Sequence, residues 1–314
     1  FLGFSNYSIS DTFTAFFLSE VLLGFGQSLV SGADSALLYD TMLHYKKEDE
    51  YLKYEGRVTM IGNFSEAFAG IFSGLLAVYS LRLPFYVQSG IAFIGIPAAI
   101  ALTEHAAKTR IKNSFANIVQ IIRYSLFTNK ELCYNIMFSG IIGAATLTMA
   151  WFVQPLLIEL DTPTTWFGII WTILNLTVGI SALYSDKLDQ RLGSMKMYTL
   201  ILFFITGGYI AVAFNVSYIG LVCLFFFYIV RGFATPILKG YINQITFSEM
   251  RATVLSIRNF VIRLMFAAMA PLVGWLHDLY SLSIALQATA AIIFVPGLLF
   301  LILQYRYKPK EPSV

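Results

Sequence analysis

The sequence has 314 residues, of which 57% are hydrophobic and only 12% are Asp, Glu, Lys or Arg. A soluble domain carries about 25% charged residues, so a chain this apolar lacks the polar surface that a water-soluble globular protein needs. A net charge of +3 and two Cys residues also exclude a nucleic-acid-binding protein, a disordered chain and a disulfide-stabilised scaffold.

Nine apolar runs follow one another along the chain, and each is long enough to cross a bilayer as a helix of about 20 residues. The runs cover 13–36, 58–79, 84–103, 134–158, 165–184, 197–214, 217–238, 254–276 and 282–304. Barrel strands alternate in polarity over about 10 residues, and these runs do not. The sequence therefore predicts an all-α polytopic membrane protein. Residues 1–5 are also apolar, and we interpret them as the end of a further helix that the sequence cuts short.

The basic residues fall almost entirely into alternate segments between the predicted spans. They follow the first, third, fifth and seventh spans and the ninth: Lys46, Lys47, Lys53 and Arg57; Lys108, Arg110, Lys112, Arg123 and Lys130; Lys187, Arg191 and Lys196; Lys239, Arg251 and Arg258; Arg306, Lys308 and Lys310. The intervening segments contain only Arg82. Basic loops stay in the cytoplasm, so this pattern predicts a cytoplasmic C-terminus.

The longest predicted loop, 104–133, divides the chain into three spans before it (1–103) and six after it (134–314). Its apolar residues recur at helical spacing at Phe115, Ile118, Val119, Ile122 and Leu126. This pattern predicts an amphipathic helix that lies in the cytoplasmic membrane interface. The three-plus-six division predicts two six-helix halves, the first of which lacks three helices here.

Three stretches of sequence carry a family resemblance. Residues 23–26 read LGFG and 31–40 read SGADSALLYD; 182–191 read ALYSDKLDQR; and the stretch from RATVLS at 251 ends in APLVG at 274. In this order they resemble the fourth helix, the loop G-x-x-x-D-[RK]-x-G-x-[RK] and the eleventh helix of the major facilitator superfamily. Ala182 and Asp189 stand in place of the two glycines of that loop.

The resemblance implies that the chain holds helices four to twelve of a twelve-helix transporter. It implies a monomeric secondary active transporter of a small molecule in the bacterial inner membrane, working by alternating access without a cofactor and coupled to protons. Two departures leave export open. Glu20 stands where proton-coupled drug exporters often carry Arg, and the stretch from Gly62 has no Gly-Pro pair.

Charged side chains inside the bilayer are costly and usually face a cavity, so they mark candidate sites. In the first span, Glu20, Gln27 and Asp34 fall on one helical stripe with Gly24 and Ser31. The functional interpretation is contact with substrate or coupling ion. The alternative is a hydrogen-bonded seam between helices, and for Asp34 a role at the cytoplasmic interface.

Glu66 shares a face of the second span with Asn63. Its depth suits a proton carrier, since burial favours the neutral form of a carboxyl group; the alternative is a structural ion pair. Arg263 and Asn259 form a polar stripe on the eighth span, and Arg231 lies in the seventh. Arg263 is a candidate partner of Glu66 or of an anionic substrate group. Arg231, like Lys239, has the alternative of extending to the cytoplasmic surface.

Three further side chains are candidates for lining a substrate cavity. They are Trp151 and Gln154 in the fourth span and Asn175 in the fifth. Trp151 has an alternative role as an interfacial aromatic residue.

The resemblance of residues 182–191 to the family loop implies a cytoplasmic latch that favours the outward-open state. Asp186 would cap and pair with a neighbouring helix end, and Lys187 and Arg191 would pair with acids of the other half. The alternative is an ordinary basic loop.

The sequence contains no Walker loop, so ATP-driven transport by this chain is not expected. His44, His105 and His277 lack metal-ligand spacing. The leading hypothesis is therefore secondary transport rather than an enzyme. Two alternatives stay open: a membrane sensor or receptor without transport, and a lipid-modifying membrane enzyme.

Overall fold

The computed structural model describes residues 1–30, 32–80, 82–102, 115–163 and 165–307. The architecture of these ranges is all-helical, and the α-helices are numbered here in chain order. They are α1 Leu2–Ile9, α2 Phe13–Val30, α3 Ala33–His44, α4 Tyr51–Tyr79, α5 Leu83–Ile100, α6 Phe115–Arg123, α7 Lys130–Glu159, α8 Thr165–Ala182, α9 Ser185–Leu192, α10 Ser194–Phe214, α11 Tyr218–Gln244, α12 Arg251–Leu279 and α13 Leu282–Arg306.

The predicted all-helical membrane fold is confirmed. Within the described ranges, seven helices are long and apolar enough to cross a membrane, or eight if the bent pair formed by α8 and α9 counts as one span. Within the described ranges, each of the nine predicted runs overlaps at least one helix. The run at 58–79 lies in α4, which is 29 residues long but is not among those seven.

The first predicted span, 13–36, is interrupted in the structure. Helix α2 ends at Val30 and α3 begins at Ala33, with Gly32 between them at a φ of 83°. A side chain at Gly32 would also collide with α12, because a Cβ there would lie 2.7 Å from the Ser256 backbone nitrogen. The close approach of α12 therefore requires glycine here. The single stripe expected from Glu20 to Asp34 is consequently divided between two helices.

Only the second part of the predicted connector is described. Residues 103–114 lie outside the described ranges, and α6 covers 115–123, followed by a π-helical turn over Tyr124–Thr128. Ile118, Val119 and Ile122 are all exposed. An exposed apolar face on a short helix is what a membrane interface would cover, and the interfacial position of this helix stays a prediction.

The main hydrophobic core lies among the helices from α7 onward. Its largest fully buried side chains include Phe138, Tyr209, Phe227 and Tyr228. Tyr209 donates a hydrogen bond to the Ala145 carbonyl at 2.6 Å, which joins α10 to α7 and satisfies a buried hydroxyl. Helices α1, α2 and α5 bury few side chains by comparison.

Helix α4 joins the earlier helices to this core through a close contact with α8. A Cβ at Gly56 would lie 2.4 Å from the Ala182 carbonyl oxygen, and one at Gly179 would lie 2.7 Å from the Phe64 ring. Thr172 donates a hydrogen bond to the Ala67 carbonyl at 3.2 Å. The absence of a side chain at Gly56 lets the two backbones touch at the ends near α9.

Candidate functional site

A buried polar cluster joins α3, α4 and α11 at the end predicted to be cytoplasmic. We call it the Glu55 cluster; it consists of Ser35, Tyr51, Glu55, Lys239 and Asn243. Glu55 is 1% exposed. Its carboxylate accepts hydrogen bonds from Lys239 Nζ at 2.8 Å, from the Tyr51 hydroxyl at 2.9 Å and from Ser35 Oγ at 3.1 Å. Asn243 Nδ2 donates to the Tyr51 hydroxyl at 2.8 Å. The cluster thus holds a buried carboxylate with a cation and two hydroxyl donors.

A second ion pair lies beside this cluster, between α3 and α12. Arg251 is 4% exposed and pairs with Asp40. Its guanidinium carbon lies 4.1 Å from the centre of the Tyr39 ring, and Nη2 donates to the Thr246 carbonyl at 2.8 Å. Ser248 donates a further hydrogen bond to Asp40 at 2.8 Å. A planar cation that is both paired and stacked is held in one orientation.

Farther along α4, and near the middle of α11, the structure has a cavity of about 600 Å³. We call it the Arg231 cavity; it lies between α4, α7, α8 and α11. Its lining includes Gly70, Ser73, Trp151, Gln154, Phe167, Trp171 and Arg231. Gly70 follows Glu55 by 15 residues, which corresponds to about 22 Å along a helix. The end of α4 that holds Glu55 is therefore cross-linked to α11, and farther along α4 Gly70 and Ser73 line a cavity together with Arg231.

The guanidinium of Arg231 is positioned by Tyr228, one turn earlier in α11. Its central carbon lies 5.2 Å from the centre of the Tyr228 ring, a cation–π contact. Its Nη1 atom is buried and has no hydrogen-bond partner among the described residues. Because Arg231 lines the cavity, its other guanidinium N–H groups can donate hydrogen bonds to a ligand's oxygen.

The structure brings together three of the residues that the sequence singled out. Trp151, Gln154 and Arg231 all line the Arg231 cavity. Trp151 is 66% exposed, so its ring is free to contact a ligand. Asn175 lies one turn from Trp171, is 1% exposed, and donates to the Trp171 carbonyl at 3.1 Å. Asn175 is not among the residues that line the cavity.

Glu66 and Arg263, considered together in the sequence, do not form an ion pair in the described part of the chain. Both side chains are exposed. Glu66 precedes Gly70 by one turn of α4, and its charge acts on the Tyr228 hydroxyl. Glu66 thus lies near the Arg231 cavity. Asn259, the other residue of the polar stripe on α12, accepts a hydrogen bond from Arg258 Nη1 at 2.9 Å.

The candidates of the first predicted span are not part of the cavity lining. Glu20 is exposed and accepts a hydrogen bond from the Tyr7 hydroxyl at 2.8 Å, which joins α2 to α1. Gln27 is exposed on α2, and Asp34 is exposed in the first turn of α3. An acidic residue in a first helical turn interacts favourably with the helix dipole.

The predicted latch loop forms a short helix, α9, that packs against α4 and α11. Asp186 Oδ1 accepts a hydrogen bond from Gln190 at 2.8 Å, and Lys187 lies 5.9 Å from the centre of the Tyr184 ring. Lys187 and Arg191 are exposed, and no ion pair joins either of them to an acid within the described ranges. Their role in a latch stays a prediction.

Asp189, which replaces a family glycine, has a different environment. It accepts a hydrogen bond from the Tyr241 hydroxyl of α11. Burial raises the pKa of the Asp189 carboxyl above its usual value, the hydrogen bond from Tyr241 lowers it in part, and the charge of Asp186 raises it further. The contact links α9 to α11 without an ion pair.

Sequence reasoning missed the Glu55 cluster and the Arg251–Asp40 pair. Glu55 and Lys239 stand in or beside segments rich in loop-type charges, and a charge at a span end is normally solvated. The available signal was the spacing of Tyr51 and Glu55 by four residues, which puts a hydroxyl and a carboxylate on one helical face. The expectation that Lys239 extends to water is replaced by its ion pair with Glu55.

Comparisons with known proteins agree with this geometry. The family model described as Major Facilitator Superfamily matches residues 1–265 of the chain. The E. coli fucose:proton symporter FucP, solved as a point variant, has a TM-score of 0.68 at 15% identity, covering 96% of this chain and 80% of its own. FucP in the outward conformation has a TM-score of 0.70 at 14% identity, covering 96% and 79%. At these identities the likeness shows the fold alone. No curated protein matches the sequence.

Proposed function

Because this chain belongs to the major facilitator superfamily, we propose that it moves a small molecule across the bacterial inner membrane by alternating access, coupled to protons. Family membership identifies the protein as a multi-pass membrane protein and a secondary transporter rather than an enzyme. The observation that supports the mechanism is the contrast between two levels along α4 and α11. The Glu55 cluster joins the two helices at one level, and farther along both helices line the Arg231 cavity.

In this proposal the structure corresponds to an outward-open state with a closed cytoplasmic end. Alternating access requires two bundles to rock about a site near the membrane midplane. Opening the cytoplasmic end would separate α4 from α11, and with it Glu55 from Lys239, whose Nζ now lies 2.8 Å from the carboxylate. It would also separate Arg251 from Asp40. The two ion pairs therefore set the stability of the closed end.

Glu66 is the proposed proton carrier. It lies one turn of α4 from Gly70 in the cavity wall, and its charge acts on Tyr228, the residue that supports Arg231. A proton on Glu66 would change the electrostatic environment of that guanidinium without direct contact. Glu20 is the second acidic candidate, and its bond to Tyr7 places it on α2, outside the cavity lining.

Site-directed alkylation tests alternating access without knowledge of the substrate. In a Cys133→Ser/Cys223→Ser background, one variant would carry Gln154→Cys in the cavity and another Leu52→Cys, which is 6% exposed at the closed end. We expect fast labelling at 154 from the outside and slow labelling at 52 from the cytoplasmic face. Conditions that speed one reaction should slow the other. Independent changes at the two positions would contradict the proposal and favour a sensor that binds without transport.

The proton-coupling proposal is tested by the pH dependence of the same reactions. We expect a pH difference imposed across the membrane to shift the ratio of labelling at 154 and 52, corrected for the reactivity of an exposed thiol. Glu66→Gln should abolish this shift, and Glu20→Gln, the matched variant on α2, should retain it. An unchanged pH response in Glu66→Gln would refute the role of Glu66.

A further inference from the structure

The Arg231 cavity is lined by one cationic side chain, Arg231, and one of its guanidinium nitrogens is buried without a hydrogen-bond acceptor among the described residues. Arg231 Nη1 is shielded from solvent and has no hydrogen-bond partner among the described residues, although the guanidinium stacks on Tyr228. An unsatisfied charged donor in a poorly solvated position is expensive. A ligand oxygen that carries negative charge is the acceptor that removes this cost, because charge-assisted hydrogen bonds are the strong ones.

The remaining walls are mainly apolar. Trp151, Phe167 and Trp171 contribute rings; Leu147, Ala150, Val153 and Leu157 contribute aliphatic groups; and Gln154 and Ser73 contribute the polar groups besides Arg231. Flat aromatic walls favour a flat, apolar ligand body by stacking and area burial. The volume of about 600 Å³ lies in the range of pockets that bind small molecules, about 300–1,000 Å³.

From these features we propose that the Arg231 cavity binds a small aromatic monocarboxylate, with the carboxylate on Arg231 and the ring between Trp151 and Trp171. This inference rests on the transport function proposed above and names the substrate class of that site. Gln154 lies on the same helix as Trp151 and supplies an amide for a second polar group on the ligand.

The charge of the lining decides between this ligand class and its competitors. Among the described residues that line the cavity, Arg231 alone is charged. A dicarboxylate or a phosphate ester would bring a second negative charge into a site with a single cation, and burying an unpaired charge is costly. A neutral sugar would leave the guanidinium without a counter-charge. A monoanion matches the site in charge.

The proposal is tested by calorimetric titration of the purified full chain in nanodiscs. The probes are 1-naphthoate, its neutral analogue 1-naphthalenemethanol, naphthalene-2,6-dicarboxylate and L-fucose. We expect 1-naphthoate to bind at least tenfold more tightly than each of the other three. Arg231→Gln should weaken naphthoate binding at least tenfold, whereas Arg231→Lys should retain most of it. Arg57→Gln, which removes the same charge at an exposed position on α4, should bind as the unmodified chain does.

Thermal unfolding of each variant separates loss of binding from loss of the fold. If Arg231→Gln unfolds, Arg231→Lys and the probe series still decide the proposal. Equal binding of naphthoate and its neutral analogue, or tighter binding of the dicarboxylate or the sugar, would overturn it. The alkylation experiment is independent of these titrations, so naphthoate binding without alternating accessibility would refute the transport function and leave the ligand class intact.

Discussion

Replacing Glu55 by Gln should open the cytoplasmic end of the protein. The substitution keeps the size of the side chain and an oxygen that can accept from Tyr51 and Ser35, but it removes the charge that pairs with Lys239. At 2.8 Å, two unit charges attract by about 6 kcal/mol with an effective dielectric constant of 20. Most of this attraction is offset by desolvation, and breaking a buried pair costs about 3–5 kcal/mol.

The expected net effect on the closed state is smaller than that range. Lys239 is 18% exposed, whereas Glu55 is 1% exposed, so the lysine left behind can still reach some water. We therefore expect the closed state to lose about 2–3 kcal/mol relative to the open state. Since about 1.4 kcal/mol corresponds to a factor of ten in an equilibrium constant, the open population should rise roughly 30- to 150-fold.

The assay is the rate at which a membrane-impermeant maleimide labels Leu52→Cys from the cytoplasmic face. When opening and closing are fast relative to labelling, this rate follows the open population. Glu50→Gln is the matched control, because Glu50 forms exposed pairs with Lys47 and Lys53 that contribute little. If Leu52→Cys is labelled no faster in the Glu55→Gln protein than in the Glu50→Gln protein, and the fold is intact, the assignment of Glu55 to the closed end is refuted.

Three further predictions concern contacts near this end. Gly56→Ala should lower the melting temperature and speed labelling at the closed end, because its Cβ would lie 2.4 Å from a carbonyl oxygen of α8. Gly62→Ala, with open space around it, should be neutral or stabilise the protein by up to about 1 kcal/mol. Equal effects of the two substitutions would contradict the close contact at Gly56. Arg251→Lys should destabilise the fold by about 1–3 kcal/mol in denaturant unfolding, since it loses the paired and stacked geometry with Asp40; a change below about 0.5 kcal/mol would argue against that geometry. Burial raises the pKa of Asp189, so the stabilisation by its protonated form is lost as pH rises through that pKa. Asp189→Asn should therefore raise the melting temperature at pH 7 and lose this advantage near pH 4. A difference in melting temperature that stays constant between these pH values would be inconsistent with titration of Asp189.

The sequence was enough to predict the helical class and to single out three of the residues that line the cavity. Long apolar runs cross a bilayer as helices, and polar side chains within them, such as Gln154 and Arg231, are easily recognised in the sequence. The break at Gly32 was not predictable, because it depends on the approach of α12 from more than 200 residues away in the chain. Pairing across such distances has no local sequence signal.

The Glu55 cluster was also not predictable from local sequence. Glu55 stands among many charges between Lys46 and Arg57, and hydropathy treats all of them as loop residues. Only the fold distinguishes Glu55, which is buried against Lys239, from Glu50, which is exposed beside two lysines. Burial of one acid among several is a property of tertiary packing.

The single guanidinium in the Arg231 cavity also has an electrical consequence. A monoanion that occupies this cavity and travels with one proton on Glu66 adds no net charge to the moving protein. The membrane potential, which contributes about 2.3 kcal/mol per elementary charge at 100 mV, would then do no work on the loaded carrier. Transport of this stoichiometry would follow the pH difference across the membrane and be insensitive to voltage clamping. An Arg231→Gln protein would transfer the same net charge per complete cycle, because the charges of the protein itself return with the empty carrier. Its loaded and empty forms would each bear one more negative charge, so the rates of the two transit steps would become voltage-dependent.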